Sequence, residues 1–195
     1  MSGRPVSLLG ARPRLLLCLD LLTPPSASDV EAVSPVFVAN CRRVLDHARG
    51  AGWPVVHVHA AASFGAGARA IDGLELLPSE PLYHRLGVSA FSSPEFRGLV
   101  RANPQAELII VGASLDSTCL ATALAAFDRG MAAALVSDAV SVSPKEREGL
   151  DGLEQIVRAL AAPFVRFVST DVLVGRARKF AVIDGGGAPK ARVAP

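Results

Sequence analysis

The chain has few aromatic residues, few charges and few cysteines. One tryptophan, one tyrosine and eight phenylalanines make up 5% of its 195 residues, and charged residues only 19%. With half the residues hydrophobic, so little charge excludes a mostly disordered protein. Twenty basic against 18 acidic residues leave a net charge of +2, and no basic stripe marks a nucleic-acid partner. No apolar run reaches the roughly 18 residues of a membrane span. Arg14 and Asp20 bound the run Leu15–Leu19, and Ala132–Val136 is also short. Residues 1–13 hold two arginines but lack the apolar stretch of a secretory leader. Three cysteines, Cys18, Cys41 and Cys119, cannot all pair, so reduced thiols in a cytoplasmic protein are expected. A chain of this length buries roughly 70% of its unfolded surface, so neither a disulfide nor a structural metal is required.

What is present is an alternation of short hydrophobic runs with amphipathic stretches, the pattern of βαβ units around a parallel sheet. Arg14–Asp20, Pro54–His59, Glu107–Gly112, Ala132–Asp138 and Phe164–Ser169 read as strands. Ser34-Pro35 opens a helix with Val38, Cys41, Val44, Leu45 and Ala48 on one face, closed at Gly50-Ala51-Gly52. Ser93-Pro94 opens another, running to Ala102; others are read at Cys119–Arg129, at Pro144–Ala161 and from Thr170. Thr23–Ser28 reads as a Pro- and Ser-rich loop, and Ala60–Leu86, broken by glycines and prolines, as a long loop of the functional kind. The organisation is an extension at 1–13, one α/β domain at 14–175 and a Gly- and Pro-containing tail at 176–195. Right-handed crossovers place every strand's C-terminal end on one rim, where open α/β sheets bind ligands.

The residues leaving that rim are the chemical candidates. Asp20 ends an otherwise apolar run, and a half-desolvated carboxylate there suits acid or base work; a cap or salt-bridge partner is the plainer reading. His57 and His59 share a strand face. They lack a third ligand nearby in sequence, so pocket-lining or core histidines are expected rather than a metal site. Arg85 can hold an anionic substrate or the carboxylate of Asp20. The segment Gly112–Thr122 is a strand-to-helix turn dense in small polar residues, with free N–H groups for an anion or oxyanion. Cys119 at that turn is the only candidate thiol nucleophile, since Cys18 and Cys41 fall on apolar faces. No motif speaks for a cofactor, a nucleotide or a metal. Gly185–Gly187 follow the last strand, the wrong place to cradle a phosphate.

Several segments together resemble the isochorismatase-like hydrolase superfamily, which includes isochorismatases, nicotinamidases and N-carbamoyl amidohydrolases. They are LLLCLD (Leu15–Asp20), PVVHVHA (Pro54–Ala60), VSAFSSPEF (Val88–Phe96), the stretch Glu107–Gly130 and VSDAVS (Val136–Ser141). The resemblance implies a three-layer α/β/α, Rossmann-like fold with a six-stranded parallel sheet, assembled as a homodimer or higher homo-oligomer. Amidohydrolases of this group use an Asp, a Lys and a Cys. Asp20 matches the Asp. The Lys position, four residues before Ser89 of Ser89-Ala90-Phe91, holds Arg85. The Cys position, six residues after Gly112 and four before Thr122-Ala123, holds Thr118, so Cys119 falls one residue late. On a helix that displacement is ~100°, and only a one-residue bulge would return the thiol to the cleft. Leu22 stands where a Gln often follows the Asp.

Two of three catalytic positions therefore depart from the amidohydrolase pattern. A threonine hydroxyl is a poor nucleophile, and an arginine hardly gives up its proton. True isochorismatases also lack the Cys and hydrolyse a vinyl ether by protonating its carbon from the Asp. The resemblance thus implies Asp20, Arg85 and Thr118 as the catalytic set. His57, His59, Ser89, Phe91, Ser114, Leu115 and Cys119 are expected around a small-molecule substrate. Three readings remain: a thiol-independent hydrolase or lyase acting on a small anionic cyclic metabolite through Asp20, a catalytically inactive binding or scaffold subunit, and a Cys119-dependent amidohydrolase.

Overall fold

The computed structural model describes residues 12–23, 34–65, 68–141 and 152–175. Three strands are buried on both faces: β1 (Arg14–Leu19), β2 (Val55–Ala60) and β4 (Glu107–Ala113). Such runs suit a parallel sheet covered by helices on both sides. With β3 (Leu82–Arg85), β5 (Ala133–Ser141) and β6 (Arg166–Val168) they form one six-stranded sheet in the order β3-β2-β1-β4-β5-β6, every pair parallel. The doubly wound α/β fold and its six strands are as expected.

Helix α1 (Pro35–Gly50) opens with Pro35 in its first turn and buries Phe37, Asn40, Cys41, Val44, Leu45 and Ala48. With α6 (Thr170–Leu173) it covers one sheet face, meeting Leu16, Cys18, Ile109 and Val111. Helices α3 (Pro94–Ala102), α4 (Leu120–Phe127) and α5 (Leu153–Ala161) cover the other, over Leu15, Leu17, Leu19 and Ile110. Ser93 caps α3 by accepting from Phe96 N–H, as its Ser-Pro start predicts.

The stretch read as one long loop, Ala60–Leu86, instead carries a short helix, α2 (Ala61–Gly65), and the edge strand β3. The sequence LYHR of β3 is polar and only partly buried, because an edge strand at the sheet's end needs no two-sided apolar run. Strand β5 runs on to Ser141 past a register shift between Ile110 and Gly112. The start of the expected helix at Pro144, with Lys145, Glu146, Arg147 and Glu148, lies outside the described residues, as do residues 24–28 of the Thr23–Ser28 loop, residues 1–11 and the tail from 176. The three cysteines are free and buried. Among the described residues no helix is long and apolar enough to cross a membrane.

Strand order reverses between β1 and β4, the two strands that start the two halves of the sheet. Ligands bind outside the carboxyl ends of strands at such a switch point. Asp20 leaves β1 there, and Ser114–Thr118 leave β4.

Candidate active site

Asp20 adopts φ 49°, a left-handed conformation that Asp tolerates better than most residues. This turns the chain out of β1 and sends the carboxylate across the ends of β2 and β3. Oδ1 accepts from the Ala60 amide (2.8 Å), and Oδ2 accepts from Arg85 Nη2 (2.6 Å). Both partners are supplied by one register pair: Ala60, the last residue of β2, lies opposite Arg85, the last of β3. The side chains of Asp20 and Arg85 are only 17% and 14% exposed. The guanidinium is pinned further by Nη1 donating to the Gly87 carbonyl (2.7 Å). Its Nε is buried and has no hydrogen-bond partner.

The second wall is the turn after β4. Gly112 has φ 150°, and a Cβ there would lie 2.1 Å from the Leu19 carbonyl oxygen, so only glycine lets β4 end this close to β1. Ser114 follows in the left-handed region at φ 61°. A π-type turn, Leu115–Cys119, then leads into α4, with Cys119 N–H donating to the Ser114 carbonyl (3.1 Å). The chain therefore does contain a one-residue widening at this place. It does not bring Cys119 into the cleft. Leu115, Cys119, Ala123 and Ala126 are fully buried along one stripe facing the core, at the spacing of a continuous helical face. The Cys119 thiol donates to the Ala113 carbonyl (3.2 Å), and burial pushes its pKa well up. Thr118, one residue earlier, is the side chain that turns to the opening.

The resulting open cleft, about 690 Å³, is lined by Arg85, Ser114 and Thr118 together with Ala60–Ala62, Leu86–Val88 and Ser117. Asp20 is not among the lining residues but is bonded to two that are, Ala60 and Arg85. Of the residues expected to act together, the structure thus brings Arg85, Ser114 and Thr118 to one cleft, with Asp20 tied to its wall. His59 is buried beside them, with Nε2 unpartnered. Desolvation lowers its pKa to about 4 against the pull of the Asp20 charge, so its imidazole is neutral at pH 7.

Five expected substrate contacts stand elsewhere, each for a packing reason. His57 is in the core, its Nε2 3.1 Å from Glu80 Oε2. Glu80 also accepts from Arg49 Nε and Nη2 (2.8 and 2.9 Å). Leu115 and Cys119 belong to the core stripe. Phe91 packs edge-on to Phe96 at 5.2 Å between ring centres, and Ser89 caps the short turn Ala90–Ser92 by accepting from Phe91 N–H. Asp138, within β5, accepts from Thr170 N–H and Oγ1 (both 2.8 Å) and so fastens α6. Ser117 lies in the Gly112–Thr122 turn that the sequence singles out, whereas sequence reasoning did not single out the cleft residues Ala60–Ala62, Leu86 and Gly87. The one signal for them is position, at or just after the ends of β2 and β3. Among the described residues no group of three or more His, Cys, Asp or Glu could hold a metal ion.

The isochorismatase domain family model matches residues 16–164 of this chain. Solved structures with the same fold include an isochorismatase from Pseudomonas putida, 24% identical with a TM-score of 0.70, covering 82% of this chain and 89% of that one. An isochorismatase family protein from Desulfovibrio vulgaris is 21% identical at TM-score 0.71, covering 85% and 98%. N-carbamoylsarcosine amidase from Thermoplasma acidophilum is 19% identical at TM-score 0.60, covering 82% and 97%. No curated protein sequence matches the chain.

Proposed function

The chain belongs to the isochorismatase domain family, and from that premise we propose that it is a hydrolase, or related lyase, that works without a thiol nucleophile. Its substrate is a small anionic cyclic metabolite and Asp20 is its acid–base residue. The observation that carries this reading is the pairing of Asp20 with Arg85 at the wall of a cleft from which the only nearby thiol is turned away. Arg85 lines the cleft, and each of its Nη atoms keeps a second hydrogen beyond the bonds to Gly87 and Asp20, donors suited to a substrate carboxylate. Asp20 then delivers a proton to the electron-rich carbon of an enol ether. Water adds to the resulting cation and gives one proton back to Asp20; the hemiketal then collapses to the ketone, its remaining hydroxyl proton passing to the departing oxygen as the carbon–oxygen bond breaks. Thr118 and Ser114 offer hydroxyls to orient that water.

One observation favours a second reading, a non-catalytic binding subunit. Both Asp20 oxygens are already hydrogen-bonded, to Ala60 and Arg85, and a fully partnered carboxylate serves equally well to fix a binding cleft.

A panel of cyclic carboxylates and enol ethers distinguishes them. Turnover by the native protein, retained in Cys119→Ala and lowered at least ~100-fold in Asp20→Asn, supports acid–base catalysis. Ligand binding without turnover, unchanged in Asp20→Asn, supports the binding subunit. Inactivation by iodoacetamide would overturn both in favour of the thiol.

A further inference from the structure

A second cavity, about 310 Å³, opens between α3 and the end of α4, away from the Asp20 cleft. Its floor is apolar: Phe91, Val100 and Met131. Around it stand Arg97, Arg101 and Arg129. Arg97 and Arg101 are four residues apart on α3, so they share a face. Each guanidinium is held by one backbone carbonyl and leaves its other N–H groups available. Arg97 Nη1 donates to Phe91 O (2.7 Å), Arg129 Nη1 to Ala125 O (2.7 Å) and Arg101 Nε to Arg97 O (3.4 Å). Arg129 also lies over the Phe91 ring, 4.6 Å from its centre. Among the described residues none of the three forms an ion pair with a carboxylate. The nearby Glu95 is turned onto Ser93 Oγ (2.7 Å).

Three arginines ring one apolar floor, Arg97 feeling the charge of a nearby carboxylate, Glu95, and in a chain of net charge +2 they are not part of a general basic surface. We propose that this cavity is a second ligand site for a small organic oxyanion, a carboxylate or phosphate carried on a flat apolar body. The body lies over Val100 and Met131, beside the Phe91 ring that Arg129 covers. The oxyanion takes the free N–H groups of the arginines, whose planar forks suit such groups. The volume sits at the lower end of the range for small-molecule pockets. Phe91, expected from sequence near a substrate, is thereby assigned to this site.

The test is calorimetric titration of the full chain with phenyl phosphate, inorganic phosphate and phenol. Phenyl phosphate should bind saturably, and the other two at least roughly tenfold more weakly, since each offers only half of the recognised chemistry. Arg101→Met with Arg129→Met should weaken phenyl phosphate by at least about tenfold, with the urea midpoint unchanged because both side chains are exposed. Arg85→Met should leave that binding intact; loss there instead would mean that the Asp20 cleft is the site, and would overturn the proposal without touching the proposed function. No saturable binding up to about 10 mM, or equal binding of inorganic phosphate, would also overturn it. So would a fall in sedimentation coefficient in the double variant, which would make the cavity a contact between two copies of this chain.

Discussion

The Asp20–Arg85 pair gives the sharpest energetic expectation, because both side chains are more than four-fifths buried and their other partners are known. Arg85→Met removes a charge-assisted hydrogen bond, worth ~1.5–3 kcal/mol, and the Gly87 bond, worth ~1 kcal/mol. It leaves Asp20 held only by the Ala60 amide, for a total near 3 kcal/mol. Asp20→Asn keeps the shape and an oxygen for Ala60 but strands the Arg85 charge, costing about 2 kcal/mol. In the double variant no buried charge remains and the Ala60 bond persists, so the total stays near 3 kcal/mol rather than 5. The coupling energy of the cycle is therefore about 2 kcal/mol. Urea unfolding of the four proteins at pH 7.5 measures it. Repeating the set in 1 M salt should change it little, because screening acts mainly on exposed charges. Additivity within ~0.5 kcal/mol, or a coupling that disappears in salt, would mean a loose surface pair and would refute the fastened carboxylate on which the cleft chemistry rests.

Alkylation at neutral pH, mapped by peptide mass, should label native Cys18, Cys41 and Cys119 slowly and alike, since all are buried with raised pKa values. In Thr118→Cys the new thiol should react at least ~10-fold faster than Cys119; the reverse order would refute the register of the turn. Gly112→Ala should destabilise by about 3 kcal/mol or more, read as a lowered urea midpoint, because its Cβ meets the Leu19 carbonyl at 2.1 Å. Burial lowers the pKa of His59 to about 4 and that of His57 below its ordinary value, so the unfolded chain binds more protons than the folded one below pH 6.5. Stability present above pH 6.5 is then lost as pH falls toward 4. His59→Gln should remove ~1–2 kcal/mol of that loss, with His57 supplying the rest; an unchanged pH profile would show that His59 is solvated.

How far the sequence reached depended on where each element's stabilising partner lies. Strands β1 and β4 were legible because burial on both faces leaves a nearly unbroken apolar run, and β2 because valines alternate with its two histidines. Helix α3 was legible from its Ser-Pro start. Strand β3 was not, because LYHR draws its stability from pairing with β2 rather than from its own apolarity. His57 was placed near the substrate because nothing local reveals Glu80, 23 residues away in a loop. The Cys119 orientation is different: the stripe Leu115, Cys119, Ala123, Ala126 is written in the sequence at helical spacing, and predicts a core thiol independently of any motif count. That stripe continues through the widened turn, so the extra residue is absorbed in the backbone and not in the direction of the side chains.

An arginine at position 85, where the sequence resemblance implies a Lys, follows the same logic of what one side chain can hold at once. A lysine ammonium is a single point charge, and engaging Asp20 would occupy it. The guanidinium divides its donors: Nη1 to the Gly87 carbonyl, Nη2 to Asp20 and Nε to no protein group. It can therefore orient the carboxylate and fix the Leu86–Val88 wall through Gly87 while the same side chain lines the cleft. Arg85→Lys should accordingly keep the charge, and with it most of the stability, while raising the KM for an anionic substrate at least ~10-fold. The comparison of KM with the urea midpoint separates the two roles. A lysine variant that loses stability as fully as Arg85→Met yet binds normally would place the function of Arg85 in the fold alone.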